Sequence, residues 1–450
     1  MLGTAGGRIT SDREQVIVNK RDTGLVRALG AWALAAAIIN MTVGSAIFTV
    51  PAELAASLGP FAPFAFLICA VSVGCVAICF AEGGTRIPTS GGPYGYIEAA
   101  FGPFAGAVMG TIYWLGNVLA NGAVAAALAD LVVSPLPPRV AAPVHAAVII
   151  GVLGTAALVN VRGAARGAKL VAATTVLKLT PLVVFVVAGA FALHQANFAP
   201  VTEPNIGGLG RALILAVFAL MGVETPLAAS GEVKRPSRNI PRAILIAMAA
   251  VALLYIAIQA IAQGILGPAL AHSQAPLSDA MGRIHPLLRL LMLACGALSM
   301  FGWLSSDVLG SPRIVFAFAR DGLLPRFLGR VHGRYHTPYV AIFCYAALAM
   351  GLALTGKFAE LAVLSTLTGA VLYIAVCLAA WVLSRRRVAV GNEPLNFRWL
   401  GAAAVIGVTG MILLIAMASR EEIFGLLGMM AAVALVYGLA RWRSREQVAA

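Results

Sequence analysis

The chain has 450 residues, of which 60% are hydrophobic and only 11% are charged, and its mean hydropathy is +0.91. This composition excludes an ordinary soluble protein and indicates a polytopic membrane protein. The net charge of +14 does not indicate nucleic-acid binding, because the Lys and Arg residues fall between apolar runs. The basic segment 1–27 lacks the apolar core and cleavage site of a signal peptide, so a polar tail is expected there.

About twelve apolar segments are long enough to cross a bilayer, for which roughly 20 residues suffice. They predict an all-α protein with about twelve transmembrane helices. The expected limits are 29–52, 61–82, 99–132, 142–160, 167–193, 208–230, 240–266, 286–318, 338–356, 359–384, 399–418 and 422–441.

Positive charge is divided unequally between the two sets of alternating connections. One set, which includes both termini, carries 24 of the 32 Lys and Arg residues, and the opposite set carries six; Lys178 and Arg313 lie within spans. Because Lys and Arg are retained on the cytoplasmic side, we predict that the tails 1–27 and 442–450 are both cytoplasmic. The protein is then expected in the cytoplasmic (inner) membrane.

The first span is interrupted in its middle by the stretch "NMTVGSAIFTVPAE", residues 40–53. Thr42, Gly44 and Ser45 are poor helix formers, although a membrane helix must satisfy its backbone hydrogen bonds internally. Small residues also allow two membrane helices to pack closely, so close packing is one explanation of this stretch. A break in the helix is the other.

A second interruption, "FALMGVETPLAASGEV" at 218–233, lies in the sixth span and contains Gly222, Glu224 and Pro226. The second interruption lies five spans after the first, so the sixth span starts from the opposite side of the membrane. Paired breaks in inverted repeats are typical of secondary transporters. The pair, with an acid at membrane depth, therefore favours broken helices over packing alone.

Several motifs occur in an order that resembles one family, the amino acid, polyamine and organocation (APC) transporters. They are "VGSAIFTVPA" at 43–52, "RIPTSGGPYGYIEAAFGPFAG" at 86–106, "FALMGVE" at 218–224, "EVKRPSRNIPRAI" at 232–244 and "AFARDGLLPRFLGRV" at 317–331. The resemblance implies the inverted-repeat fold first described for a bacterial leucine transporter (LeuT). Its repeats are expected at 28–193 (spans 1–5) and 206–387 (spans 6–10), followed by two peripheral spans within 399–441.

The same resemblance implies a substrate site at the two breaks. Amide groups of the first span are expected to hold the substrate carboxylate, and carbonyls of the sixth span its amino group. The implied substrate-binding residues are Thr42, Gly44, Ser45, Ala46, Phe218, Ala219, Met221 and Gly222. Many relatives have Gly where this chain has Ala46, so its methyl group is expected to narrow the pocket. Phe218 matches an aromatic lid position.

Four charged residues lie more than four residues inside the ends of the expected spans, namely Lys178, Glu224, Asp307 and Arg313. Lys178 matches a lysine that replaces sodium in part of the family, and a buried ammonium is a plausible proton carrier; the alternative is a permanently charged strut. Glu224 either takes part in proton coupling or anchors the second break. Arg313 is near a span end and is expected to reach the interface.

Asp307 occupies the position where several relatives carry a tryptophan that faces the pocket. It is expected either to bind a second positive charge on the substrate or to pair with Lys178. Asp307 favours cationic substrates and Lys178 favours proton symport of neutral ones, so the side-chain specificity stays open.

The sequence therefore predicts a secondary active transporter of an amino acid or related amine, working by alternating access, coupled to protons and independent of sodium, and it leaves the choice between symport and exchange open. An amino acid or polyamine exchanger (antiporter) and a non-transporting sensor are alternatives. An intramembrane enzyme is disfavoured, because no HExxH or paired acidic motif occurs inside a span. The expected partners are the small-molecule substrate, protons and the lipid bilayer, with no cofactor, no metal and no nucleic acid.

Overall fold

The computed structural model is helical throughout the residues it describes. These are 29–88, 92–134, 136–162, 178–199, 206–227, 230–320, 324–390 and 394–449. Within them no β-strand forms, and the only β-type pairing described is an isolated parallel bridge between Leu29 and Val233. The predicted tail 1–27 and the start of the predicted fifth span, 167–177, lie outside the described residues.

The helices of this described part are labelled α1–α17 in chain order. The first seven are α1 (Ala31–Thr42), α2 (Ala46–Leu58), α3 (Ala62–Arg86), α4 (Pro93–Phe101), α5 (Pro103–Val133), α6 (Pro138–Val161) and α7 (Lys178–Ala192). The next six are α8 (Ile206–Leu220), α9 (Glu224–Leu227), α10 (Pro236–Leu266), α11 (Pro276–Ile284), α12 (Pro286–Gly310) and α13 (Pro312–Arg320). The last four are α14 (Tyr339–Thr355), α15 (Phe358–Arg385), α16 (Leu400–Ala416) and α17 (Arg420–Ala449).

Seven helical segments in the described part are long and apolar enough to cross a membrane, or eight if the bent pair α16 and α17 is one span. The sequence predicts about twelve. Three predicted spans fall short in length, because α1 ends at the first break, α7 is described only from Lys178, and α14 has 17 residues. The chain is thus an all-helical, multi-pass membrane protein, and the number twelve stays a prediction.

The first predicted break separates α1 from α2. The first helix ends at Thr42 and the next begins at Ala46, with Val43, Gly44 and Ser45 between them. Pro51 lies inside α2 without ending it. The two half-helices together cover the first predicted span.

The second predicted break separates α8, which ends at Leu220, from the short helix α9, which begins at Glu224. Gly222 between them has a φ of +129°, a conformation that favours glycine. A Cβ atom at this position would lie 3.0 Å from the backbone of Met41 and of Thr42. The two breaks are therefore in direct contact, backbone against backbone.

Two predicted spans are divided in the structure. The predicted span 99–132 contains the end of α4 and most of α5, which meet at Gly102 with a φ of +93°. The predicted span 286–318 is divided at Ser311 between α12 and α13. In both cases a proline begins the following helix, Pro103 or Pro312, as expected for a residue that suits the first turn.

The end of α3 is anchored by a buried ion pair. Arg86 Nε donates to Glu82 Oε1 at 2.8 Å, and both side chains are at most 3% exposed. The guanidinium also donates to Val388 O, Ser384 Oγ and Asn396 Oδ1 at 3.0, 3.2 and 2.8 Å. Arg86, counted in the sequence as a loop charge, is thus a buried connection between α3 and the chain that follows α15.

Gly83 on α3 lies against a fully buried tyrosine, and Gly74 on the same helix faces open space. A Cβ atom on Gly83 would lie 2.8 Å from Tyr96 Cδ2, whereas nothing lies within 4 Å of one on Gly74. We expect Gly83→Ala to destabilise the protein by about 1–3 kcal/mol through overpacking. We expect Gly74→Ala to be neutral or to stabilise by up to about 1 kcal/mol. Thermal unfolding in detergent measures both, and equal melting temperatures for the two variants would contradict this packing.

Candidate functional site

A cavity lies between the two breaks and is walled further by α5, α12 and α15. The empty space between the lining residues, taken together with the part that is open to solvent, is about 630 Å³. The predicted substrate-binding residues that line it are Thr42, Gly44, Ser45, Ala46, Phe218, Met221, Gly222 and Asp307. Glu224 also lines it. Among the described lining residues, Ala219 and Lys178 are absent; the Ala219 side chain is buried in the helical core.

The carbonyl end of α1 is capped by side chains from other helices. The last carbonyl groups of a helix have no intrahelical partner and must be satisfied elsewhere. Lys178 Nζ, from α7, donates to Val43 O at 2.8 Å and also to Asn40 O. An ammonium group is well placed there, because the carbonyl end of a helix carries partial negative charge.

Two further side chains complete this cap. Trp303 Nε1, from α12, donates to Met41 O at 2.8 Å. The hydroxyl group of Tyr255, from α10, donates to Thr42 O at 2.9 Å. Helices α7, α10 and α12 therefore all hold the same turn of backbone at the first break.

The amide end of α2 faces the same break. The N–H of Gly44 donates to Thr42 O at 2.9 Å, so this predicted carboxylate ligand is already engaged within the chain. At the start of α2, which begins at Ala46, the N–H of Phe48 donates to Ser45 O at 2.9 Å, and the amide groups before it have no acceptor within the helix. The hydroxyl groups of Thr42 and Ser45 are buried and have no described partner. Unsatisfied polar groups of this kind mark a place where a polar ligand can bind.

Glu224 secures the second break. Its Oε2 accepts from the N–H of Gly222 at 3.2 Å and from the hydroxyl group of Tyr373, on α15, at 2.8 Å. The N–H of Met221 donates back to Val217 O at 3.0 Å, which ends the α8 hydrogen-bond pattern. Glu224 therefore has the geometry of the anchor that was one of its two predicted roles.

Phe218, predicted as a lid, lines the cavity near the start of α15. Its ring meets that of Phe358 edge to face, with ring centroids 6.0 Å apart. The side chain of Phe218 is half-buried. The contact packs Phe218 against the first residue of α15, and its role as a lid stays a prediction.

Asp307 lines the cavity and is held by three hydrogen-bond donors. Asn121 Nδ2 donates to Oδ2 at 2.7 Å, Ser311 Oγ donates to Oδ1 at 2.6 Å, and the hydroxyl group of Tyr345 donates to Oδ2. The predicted alternative in which Asp307 pairs with Lys178 is wrong. Within the described chain the carboxylate bonds to neutral groups, and the ammonium of Lys178 bonds to carbonyls.

The sequence analysis missed Trp303 and Tyr113. The tryptophan expected in the pocket of relatives was assigned to the position of Asp307, but Trp303 lies one turn earlier on α12 and also lines the cavity. The hydroxyl groups of Tyr113 and Thr225 are 2.6 Å apart and connect α5 to α9. Helical spacing could have found Trp303, because residues i and i+4 share a face.

Comparison with known proteins agrees with this architecture. Residues 29–439 match the family model described as amino acid permease. An uncharacterized transporter of Mycobacterium tuberculosis is 30% identical over 382 residues, which cover 77% of this chain and 78% of the relative. The branched-chain amino acid permease BcaP of Bacillus subtilis is 25% identical over 89% of this chain and 90% of its own length. The serine/threonine exchanger SteT of the same species is 27% identical over 82% and 86%.

A helical membrane protein whose two broken helices face one cavity belongs to the broad class of membrane transporters. More narrowly, the chain belongs to the amino acid permease family of the APC superfamily. The family resemblance inferred from the sequence motifs is thus confirmed.

The hydrogen bonds from Lys178 to the carbonyl end of α1 are expected to stabilise the folded protein. Replacing it with methionine leaves the carbonyls of Asn40 and Val43 buried without a donor, and each unsatisfied carbonyl costs about 1–3 kcal/mol. We therefore expect Lys178→Met to lower the melting temperature in detergent, and Lys357→Met, at an exposed lysine, to leave it unchanged. Equal melting temperatures for the two variants would show that the α1 carbonyls do not depend on the ammonium group.

Proposed function

We propose that the protein is a secondary active transporter that moves an amino acid or a related amine across the cytoplasmic membrane by alternating access. The observation that carries this proposal is the cavity at the two helix breaks, where the hydroxyl groups of Thr42 and Ser45 are buried without a described partner beside the start of α2. Membership of the amino acid permease family supports it, as do relatives named as a branched-chain amino acid permease and a serine/threonine exchanger.

The proposed architecture has twelve spans, arranged as the inverted repeats 28–193 and 206–387 with peripheral spans within 399–441. It is supported by the two breaks, which interrupt the first predicted span between α1 and α2 and the sixth between α8 and α9. We assign both termini to the cytoplasm, because most positive residues fall on that side in such an arrangement. The start of α1 is then at the cytoplasmic face.

In the proposed binding pose, the substrate carboxylate lies at the first turn of α2. The amide groups of Ser45 and Ala46 and the hydroxyl group of Ser45 supply donors for it, and the helix start adds partial positive charge. The substrate amino group lies against the carbonyl groups at the end of α8, from Phe218 to Met221, where the partial charge is negative. A zwitterion thereby fits both breaks at once.

Alternating access in this proposal begins at the cytoplasmic end of α1. The N–H of Leu29 donates to Glu232 O at 3.0 Å, and the N–H of Lys234 donates to Leu29 O at 2.8 Å. These two hydrogen bonds tie the start of α1 to the segment that follows α9. Opening toward the cytoplasm requires α1 to leave this segment.

We propose that Lys178 couples this movement to protons without sodium. Its ammonium group holds the carbonyls of Asn40 and Val43, so its charge stabilises the position of α1. Release of the proton weakens that hold and favours the movement of α1. The alternatives are an exchanger, in which a second substrate drives the return, and a sensor that binds without transport.

The experiment that tests the proposal is uptake into proteoliposomes of purified protein. Labelled neutral, acidic and cationic amino acids are supplied with an inward proton gradient and no sodium. Accumulation that collapses with a protonophore supports proton-coupled transport. Exchange of label with preloaded substrate but no net accumulation would indicate an exchanger, and binding without any flux would indicate a sensor.

Ser45 provides the test of the binding site. A leucine at this position removes an unpartnered hydroxyl group and fills the space beside the first turn of α2, so we expect Ser45→Leu to reduce substrate affinity at least tenfold. The control Ala37→Leu changes an exposed residue of α1 and is expected to bind normally. Unchanged affinity in a folded Ser45→Leu protein would refute the assignment of the carboxylate to this break.

Lys178 provides the test of proton coupling. Arginine at this position stays protonated at all accessible pH values, so we expect Lys178→Arg to lose stimulation of uptake by an inward proton gradient. Exchange between equal substrate pools, which needs no net proton movement, is expected to persist. The matched control is Lys357→Arg, and full stimulation of the Lys178→Arg protein would exclude this lysine as the coupling group.

A further inference from the structure

The cavity carries an acidic group that the binding of an ordinary zwitterion does not use. We propose that Asp307 forms a second cation subsite and that the preferred substrates are amino acids whose side chain carries an ammonium or guanidinium group. This inference rests on the proposed transport function and deepens it by naming the substrate class.

The hydrogen bonds of Asp307 are those of an acceptor. The Nδ2 group of Asn121 can only donate, and it lies 2.7 Å from Oδ2 of the carboxylate. Ser311 Oγ accepts from Asn117 Nδ2 at 3.0 Å, so its own proton is free to point at Asp307 Oδ1, 2.6 Å away. The network thus fixes the position of the carboxylate and leaves it capacity for a further donor, because two carboxylate oxygens offer about four acceptor sites.

The charges of the cavity wall are unbalanced. Two acids line it, Glu224 and Asp307, and among the described lining residues there is no Lys, Arg or His. Glu224 is committed to the Gly222 amide and the Tyr373 hydroxyl group. The ammonium group of Lys178 donates to the carbonyls of Asn40 and Val43, and Lys178 does not line the cavity. Asp307 is therefore the acid for which no described cation is available.

The position of Asp307 fits the side-chain end of a bound amino acid. In the proposed pose, the break between α1 and α2 supplies donors for the substrate carboxylate. The break between α8 and α9 supplies acceptors for the substrate amino group. Asp307, on α12, lines the same cavity, and its partner Asn121 lies on α5, another helix of the cavity wall. A cationic side chain that extends from the breaks toward α5 and α12 meets a carboxylate, and a charge-assisted hydrogen bond is stronger than a neutral one.

Trp303 adds a second feature that suits a cation. It lines the cavity one turn before Asp307, and its indole N–H is engaged with Met41 O. The hydrogen bond fixes the ring beside Gly44, where a Cβ atom would lie 3.1 Å from Trp303 Cδ1. An indole ring attracts cations through its π face.

The test is competition for uptake in proteoliposomes. Labelled lysine is the probe, and unlabelled ornithine, arginine, leucine, serine and glutamate are the competitors, with wild type, Asp307→Asn and Asp307→Glu compared. Asp130→Asn is the matched control, since Asp130 is 56% exposed at the end of α5 and pairs with His145. Affinity for each amino acid is measured separately from the melting temperature in detergent.

We expect wild type and Asp130→Asn to prefer lysine, ornithine or arginine over leucine by at least tenfold. Asp307→Asn, which keeps the shape and removes the charge, is expected to lose at least tenfold in affinity for cationic amino acids with little change for leucine. Asp307→Glu, which keeps the charge, is expected to retain the preference for cations.

Other results overturn the inference. Equal losses for leucine and lysine in Asp307→Asn would show that Asp307 only supports the packing of α5, α12 and α14. Should Asp307→Asn fail to fold, the wild-type panel still decides, because a preference for neutral amino acids refutes the cation subsite. In that event the proposed transport function stands; it fails only if no amino acid of any class is transported or exchanged.

Discussion

The structure depends on how the carbonyl end of α1 is satisfied. A helix that stops in the middle of a bilayer exposes carbonyl groups where no water is available, and each costs several kcal/mol unless it finds a donor. Lys178, Trp303 and Tyr255 supply those donors from α7, α12 and α10. Three helices distant in sequence are thereby held at one turn of backbone, and that turn lines the cavity.

The second break is held differently from the first. The Glu224 carboxylate accepts a hydrogen bond from the N–H of Gly222, so an acid only two residues away in the sequence stabilises the start of α9. Gly222 lies against the backbone at Met41 and Thr42, and any larger residue would separate the two breaks. In the proposed transport cycle, movement of α1 would change the surroundings of the second break through this contact.

Much of this arrangement could be predicted from the sequence, because helix breaks leave local signals. The poor helix formers around Gly44 and Gly222 predicted both breaks, and most of the residues named around them line the cavity. The side-chain partners could not be predicted. Helical spacing places Trp303 on the same face as Asp307, but it does not give the partners of the two side chains, which lie on α1, α5 and α14, far away in the chain. The alternative in which Lys178 pairs with Asp307 was wrong for the same reason. Two opposite charges in apolar spans suggest an ion pair, but the sequence does not give the distance between them.

The buried pair of Glu82 and Arg86 has a consequence for biosynthesis. The two residues are one helical turn apart, so they can neutralise each other as soon as α3 is made. The other partners of the guanidinium lie about 300 residues later in the chain. The end of α3 therefore has its charges paired before the segment after α15 is synthesised, and that segment later connects the last third of the protein to the first.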